Sequence, residues 1–176
     1  MTVDWNAELL DQLDLHWTAM LRPRLAGLTD DEYLWEPVDG CWTVRPTDDG
    51  RFVPDWQVPE PVPPPVTTIA WRLCHIGGPV LGMRVSNHFG AGTWDVTMVD
   101  WPGTAAAALD YVDDAYEAWT AGIATLDEQG LAKPVGPSEG PYADRSYAAL
   151  ILHISREVIH HGAEVALLRD LYRARN

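Results

Sequence analysis

Five side chains able to handle a metal or a proton crowd one short stretch near the C-terminus: His153, Glu157, His160, His161 and Glu164. They interrupt the otherwise largely apolar segment from Ser146 to Tyr172, SYAALILHISREVIHHGAEVALLRDLY. At 3.6 residues per turn Glu157 and His161 stand one above the other, with His153 and Glu164 close to the same line. Leu150, Ile154, Val165 and Leu168 share that face, so the polar stripe is expected to point into the core. An ionised carboxylate cannot sit alone in an apolar interior and must be paired, protonated or metal-bound. Glu and His four residues apart reach the same point beside a helix and can chelate one divalent cation. The same groups can equally form a hydrogen-bonded core network.

A metal would need a third ligand from another element. His75 is the candidate, carried mid-helix beside Leu73 and Ile76, where the competing reading is an ordinary core histidine. Zinc, nickel, iron or manganese all suit a set of imidazole and carboxylate. Other chemistries lack their signatures. There is no His-Glu-x-x-His string and no Gly-x-Ser-x-Gly, and Ser155 falls mid-helix with no turn to expose it. The acidic run Asp110, Asp113, Asp114 and Glu117 reads as a solvated helix face.

These residues need helices to hold them. Trp5, Leu9, Leu13, Trp17, Met20 and Leu21 recur at three- and four-residue spacing, predicting a first helix from about Asp4 to Ala26. Asp4 can cap it, Gly27 can end it and Pro23 should bend its last turn. His16 borders the apolar face, either as a half-buried histidine with a local partner or as a support or substrate contact for the site. Thr29-Asp-Asp-Glu32 is a capping box opening a short turn. Eight of the fourteen prolines then lie between Pro37 and Pro65, which excludes a helix there. Trp42, Phe52 and Trp56 make this an ordered loop lying on the bundle.

Helical spacing returns from about Thr67 to Phe89, with Gly77, Gly78 and Pro79 expected to kink it. A third helix should run from Thr104 to about Gln129 with Ala107, Tyr111, Ala115, Ala118, Trp119 and Leu126 inward. The final helix follows a Pro- and Gly-rich connection. Four amphipathic helices without a convincing strand pair predict an all-α fold, a four-helix bundle with a long Pro-rich ordered loop between helices 1 and 2, forming one domain over 1–176.

Composition narrows the partners. With 12 basic against 26 acidic residues the net charge is −14, and no basic run exists to neutralise phosphates or an anionic membrane surface. No nucleic acid and no membrane are expected as partners. No stretch of about 18 apolar residues and no basic-then-apolar leader occurs, which predicts a cytoplasmic protein. Cys41 and Cys74 are far apart and outside any Cys-x-x-Cys pair, so they are expected to be reduced, buried thiols.

Four further motifs carry a resemblance. Leu28-Thr-Asp-Asp-Glu32 with Trp35-Glu-Pro37, Gly40-Cys-Trp-Thr-Val-Arg-Pro46, Trp71-Arg-Leu-Cys-His-Ile76 and Glu157-Val-Ile-His-His-Gly-Ala-Glu164 follow one another in an order that resembles the DinB-like superfamily. These are four-helix metalloproteins that include mycothiol-dependent maleylpyruvate isomerase and bacillithiol transferases. The resemblance covers almost the whole chain and implies His75, Glu157 and His161 as metal ligands. Many members carry His where Glu157 stands; the mycothiol-dependent isomerase is similar to this chain in using Glu. His160 then becomes a neighbour, and His16, His153, His160 and Glu164 are pocket or supporting residues. The resemblance further implies a divalent metal ion, zinc before the others, and a low-molecular-weight thiol, mycothiol or a relative, as cosubstrate.

The expected function is metal-dependent thiol S-transfer or isomerisation of a small-molecule electrophile. Two alternatives stand beside it: a non-catalytic, metal-stabilised bundle that binds a small ligand or a partner chain, and a metal-dependent hydrolase using a bound water. Exposed apolar helix faces predict a homodimer.

Overall fold

The computed structural model describes residues 3–175. Among them four long helical stretches pack around one apolar core. The first runs through Trp5–Leu15, His16–Leu21 and Arg22–Arg24. The second runs through Ile69–His75, Ile76–Gly82 and Met83–Phe89, the third is Ala105–Ala124 and the fourth is Tyr147–Ala174. Each starts on a side chain that accepts from a backbone N–H three residues on: Asp4, Thr68, Thr104 and Ser146. Such caps satisfy donors that the helix itself leaves free.

Leu13, Trp17 and Leu21 meet Leu73, Ile76, Val80 and Leu81, then Val112, Trp119 and Ile123, then Leu150, Ile154, Val158 and Val165. Burying each such aliphatic side chain contributes about 1.5–3 kcal/mol. The second and third helices approach closely at Gly77, where a Cβ would stand 2.6 Å from the Tyr111 ring, and a Cβ on Gly78 would stand 2.8 Å from Trp101 in the loop before the third helix.

The predicted kink at Pro79 is instead a π-helical segment, Ile76–Gly82, closed by the Met83 N–H donating five residues back to the Gly78 carbonyl. The proline ring would clash with the carbonyl four residues earlier, which belongs to His75, and a wider turn relieves that clash. A second π segment, His16–Leu21, precedes Pro23 in the first helix.

Several sequence expectations are corrected. The third helix ends at Ala124, and Glu128–Ala132 forms a separate short helix capped by Asp127. Its inward face is Ala108, Val112, Tyr116, Trp119 and Ile123, leaving Ala107 and Ala118 exposed. In the first helix Trp5, at its first turn, and Met20, inside the π turn that shifts the apolar stripe, are exposed. The Pro-rich segment contains an antiparallel hairpin, β1 Val44–Pro46 with β2 Phe52–Pro54, where no strand pair was expected. Asp55 anchors it, its carboxylate accepting from the Thr43 N–H and its carbonyl from Trp71 Nε1 at 2.8 Å.

Only half of the capping box at Thr29 forms. Thr29 accepts from the Glu32 N–H, but the Glu32 carboxylate turns inward to a buried ion pair with Arg169, 2.6 Å from its Nε. Arg169, 1 % exposed, also donates to the Arg24 and Ala26 carbonyls, tying the end of the first helix to the fourth.

Candidate metal centre

The fourth helix supplies two of the three expected ligands, His161 from its buried seam and Glu157 from the border of that seam. Its buried seam runs through Leu150, Ile154, Val158, His161, Val165 and Arg169. Of the polar stripe only His161 lies in this seam and the others border it, which corrects the expectation that the whole stripe points into the core: the Glu157 side chain is 27 % exposed and that of His161 10 %. Leu168, expected on the inner face, is half-buried, and Arg169 takes the core position beside it.

The second helix brings His75 to the same point. One ligating atom from each of His75, Glu157 and His161 lies within 4.8 Å of the other two. His161 Nε2 is 3.4 Å from Glu157 Oε2, and the His75 and His161 rings meet edge to face with centroids 4.8 Å apart. Trp71 stacks on His75 at 5.1 Å and fixes the plane of its ring.

Glu164 has a different task. Its Oε2 is 2.7 Å from His161 Nδ1, while Arg72 lies 2.9 Å from the same carboxylate. Arg72 also comes within 3.2 Å of His161 Nδ1, and that nitrogen cannot donate to one neighbour and accept from the other. The shorter contact is to an anion, so Nδ1 donates to Glu164, and Nε2 is the nitrogen that faces Glu157. A carboxylate holding one imidazole nitrogen so that the other can bind a cation is the usual support for a metal-ligating histidine. His160, His161 and Glu164 also fall within 4.8 Å of one another, but His160 is 64 % exposed and Glu164 is already held by Arg72 and His161.

The donor set suits a divalent cation. Burial, reinforced by His161, Arg72 and Arg84, pushes the His75 imidazole down to about pKa 3, so it is neutral near pH 7 and keeps a lone pair. Its Nδ1 is buried with no hydrogen-bond partner among the described residues, an expensive state for a polar atom in a network that exists only for hydrogen bonding. Imidazole nitrogens and a carboxylate are what such an ion takes, and three protein ligands leave coordination positions open.

The remaining candidates separate. His153 accepts from Arg156 at 2.8 Å and lies 3.5 Å from Glu157, at the edge of the ligand group. His16 packs against the fourth helix at Gly162, where its buried Nε2 has no partner, and burial lowers its pKa. It does not join the three clustered ligands.

Beside His75 opens a cavity of about 490 Å³ whose walls include Trp56, Trp71, Trp94 and Trp101, with Arg51 among the lining residues. Cys74 lines it too, but burial pushes this thiol up to about pKa 12, so it stays protonated and unreactive. The hairpin and the loop before the third helix supply most of this wall. Sequence reasoning missed Arg72, whose one signal was its place three residues before His75 on the same helix face, and it left the four tryptophans unassembled.

No curated protein and no solved structure matches the chain. A family model described as the DinB superfamily matches residues 12–165, a span that contains His75, Glu157 and His161 and all but the outer ends of the helical bundle. With a helical bundle whose second and fourth members converge on one His/Glu cluster, and with that match over most of its length, the chain belongs to the DinB superfamily.

Proposed function

We propose that this protein binds one divalent metal ion at His75, Glu157 and His161 and transfers a low-molecular-weight thiol to a small electrophile. The observation that carries the reading is the opening of the three-ligand cluster, through His75, onto an apolar tryptophan-walled cavity. A divalent cation, zinc first among those the donor set suits, would supply the positive charge that converts a bound thiol to its nucleophilic thiolate near neutral pH.

The chain's own residues do the rest. Glu164 holds His161 by Nδ1 and Arg72 holds Glu164, so the ligand orientation is set before anything binds. The tryptophan walls exclude water and accept a flat or apolar electrophile by stacking. Cys74 is not the nucleophile, because its proton is held by burial, so the attacking sulfur comes from outside the chain. In the transfer a carbon–sulfur bond forms, the leaving group departs with its bonding pair, and the thiol proton passes to solvent. Mycothiol or a relative is the thiol that the family resemblance implies.

The test supplies metal-loaded protein with mycothiol or a surrogate thiol and chlorodinitrobenzene, and follows thioether formation over the free-thiol background. A rate that disappears in His161→Ala supports thiol transfer. No rate over a broad electrophile panel, with metal bound, favours a non-catalytic binding module, and turnover of esters or amides without added thiol favours a hydrolase.

A further inference from the structure

A second cavity, of about 610 Å³, lies between the second and fourth helices and the turn at Pro137–Tyr142, and it shares no lining residue with the tryptophan-walled one. We propose that it is a binding site for a small organic carboxylate with an apolar body. Its floor is apolar, with Val135 and Leu150 buried beneath Pro141 and Ala149. Its charged lining is Arg84, Arg145 and Arg156 against one carboxylate, Glu139.

That carboxylate is already occupied. Glu139 lies 3.2 Å from Arg84 and 2.9 Å from His88 Nε2, and Tyr147 in turn holds the far side of His88 at 3.2 Å. Arg156 donates to His153 Nδ1 at 2.8 Å and pairs with no carboxylate among the described residues. Arg145, like Arg156 and like Arg173 and Arg175 at the far end of the fourth helix, pairs with no carboxylate among the described residues, whereas Arg22, Arg24, Arg45, Arg51, Arg72, Arg84 and Arg169 do. In a chain with 26 acidic and 12 basic residues, carboxylate partners are abundant. Arg145 and Arg156 are both solvent-exposed, but they are the two that line one cavity with an apolar floor, and together they match an anion from outside the chain. A guanidinium receives a carboxylate through two parallel N–H bonds, and the volume suits a small ligand. The site borders the candidate metal centre, since His153 lines the cavity and stands 3.5 Å from Glu157. Its binding does not depend on the metal.

Calorimetric titration of the full chain, metal-loaded and chelator-treated, with cyclohexanecarboxylate and with neutral cyclohexanecarboxamide tests this. The acid should bind in both preparations and weaken as salt is raised. The amide should bind at least about tenfold more weakly, as should the acid to Arg145→Gln/Arg156→Gln, because each removes the charge-assisted bonds. Arg51→Gln should bind the acid like wild type. Several results would overturn the assignment: no saturable binding of the acid, equal binding of acid and amide, binding lost on chelation, binding lost in Arg51→Gln rather than in the double variant, or inorganic phosphate competing as strongly as the acid.

Discussion

Glu164 and Glu157 look alike in sequence, each one helical turn from a histidine, yet one supports and the other is placed to ligate. The difference is Arg72, which pairs with Glu164 and leaves Glu157 facing His161 Nε2. Replacing Glu164 with Gln should keep the fold and lower metal affinity by about 10- to 100-fold, the usual effect of removing a support of this kind. Competition with a chromophoric chelator measures it. His75 makes a pH prediction. Its folded-state pKa lies near 3, below the ordinary histidine value of 6.5, so between these values the unfolded chain binds the proton that the folded chain refuses. Stability therefore falls as pH drops below about 6.5, by at most about 1.4 kcal/mol per pH unit for one proton. Urea titrations of chelator-treated protein between pH 4 and 7 should show this slope, and it should flatten in His75→Gln. The i, i+4 geometry of Glu157 and His161 was legible because helical periodicity alone determines it. The division of labour between the two glutamates was not, because it depends on a side chain from another helix.

At the scale of elements, the fourth helix makes polar contacts to other elements, among them Glu164 with Arg72 beside the candidate metal centre and Arg169 with Glu32. Arg169→Met leaves the Glu32 carboxylate buried and unpaired and should destabilise the fold by about 3–5 kcal/mol, whereas adding Glu32→Met should recover most of that loss. Denaturant unfolding of the wild type and the two variants decides the point, and no recovery in the double variant would mean that the contacts to the Arg24 and Ala26 carbonyls dominate. Gly77→Ala should destabilise by about 1–3 kcal/mol, since its methyl group would meet the Tyr111 ring and push the third helix away from the turn after His75. The four helices were legible from their apolar spacing and caps. The hairpin was hidden because its strands have three residues each and both end in proline, too short for alternation to register, although Asp48-Asp49-Gly50 marked its turn. The π segments have no periodicity of their own, and each displaces the stripe that follows it.

For the whole molecule, the apolar core holds the bundle without help from a metal, so chelation should lower the melting temperature and leave helix content intact. The shift should grow with metal concentration as expected for a ligand that binds only the folded state. Leu152, Ile159, Leu167 and Leu171 remain exposed on the outer side of the fourth helix, and no helix among the described residues is long and apolar enough to cross a membrane. If that face joins two copies, sedimentation should find a dimer that Leu167→Glu converts to monomer with the metal content unchanged. The central claim is that His75, Glu157 and His161 hold one divalent cation between the second and fourth helices. Elemental analysis of the purified protein beside His75→Ala, after reconstitution and removal of loosely bound ions, tests it most directly. One equivalent of a divalent metal per chain is expected in the wild type and almost none in the variant. Metal-free wild-type protein, or equal metal in both, would contradict it.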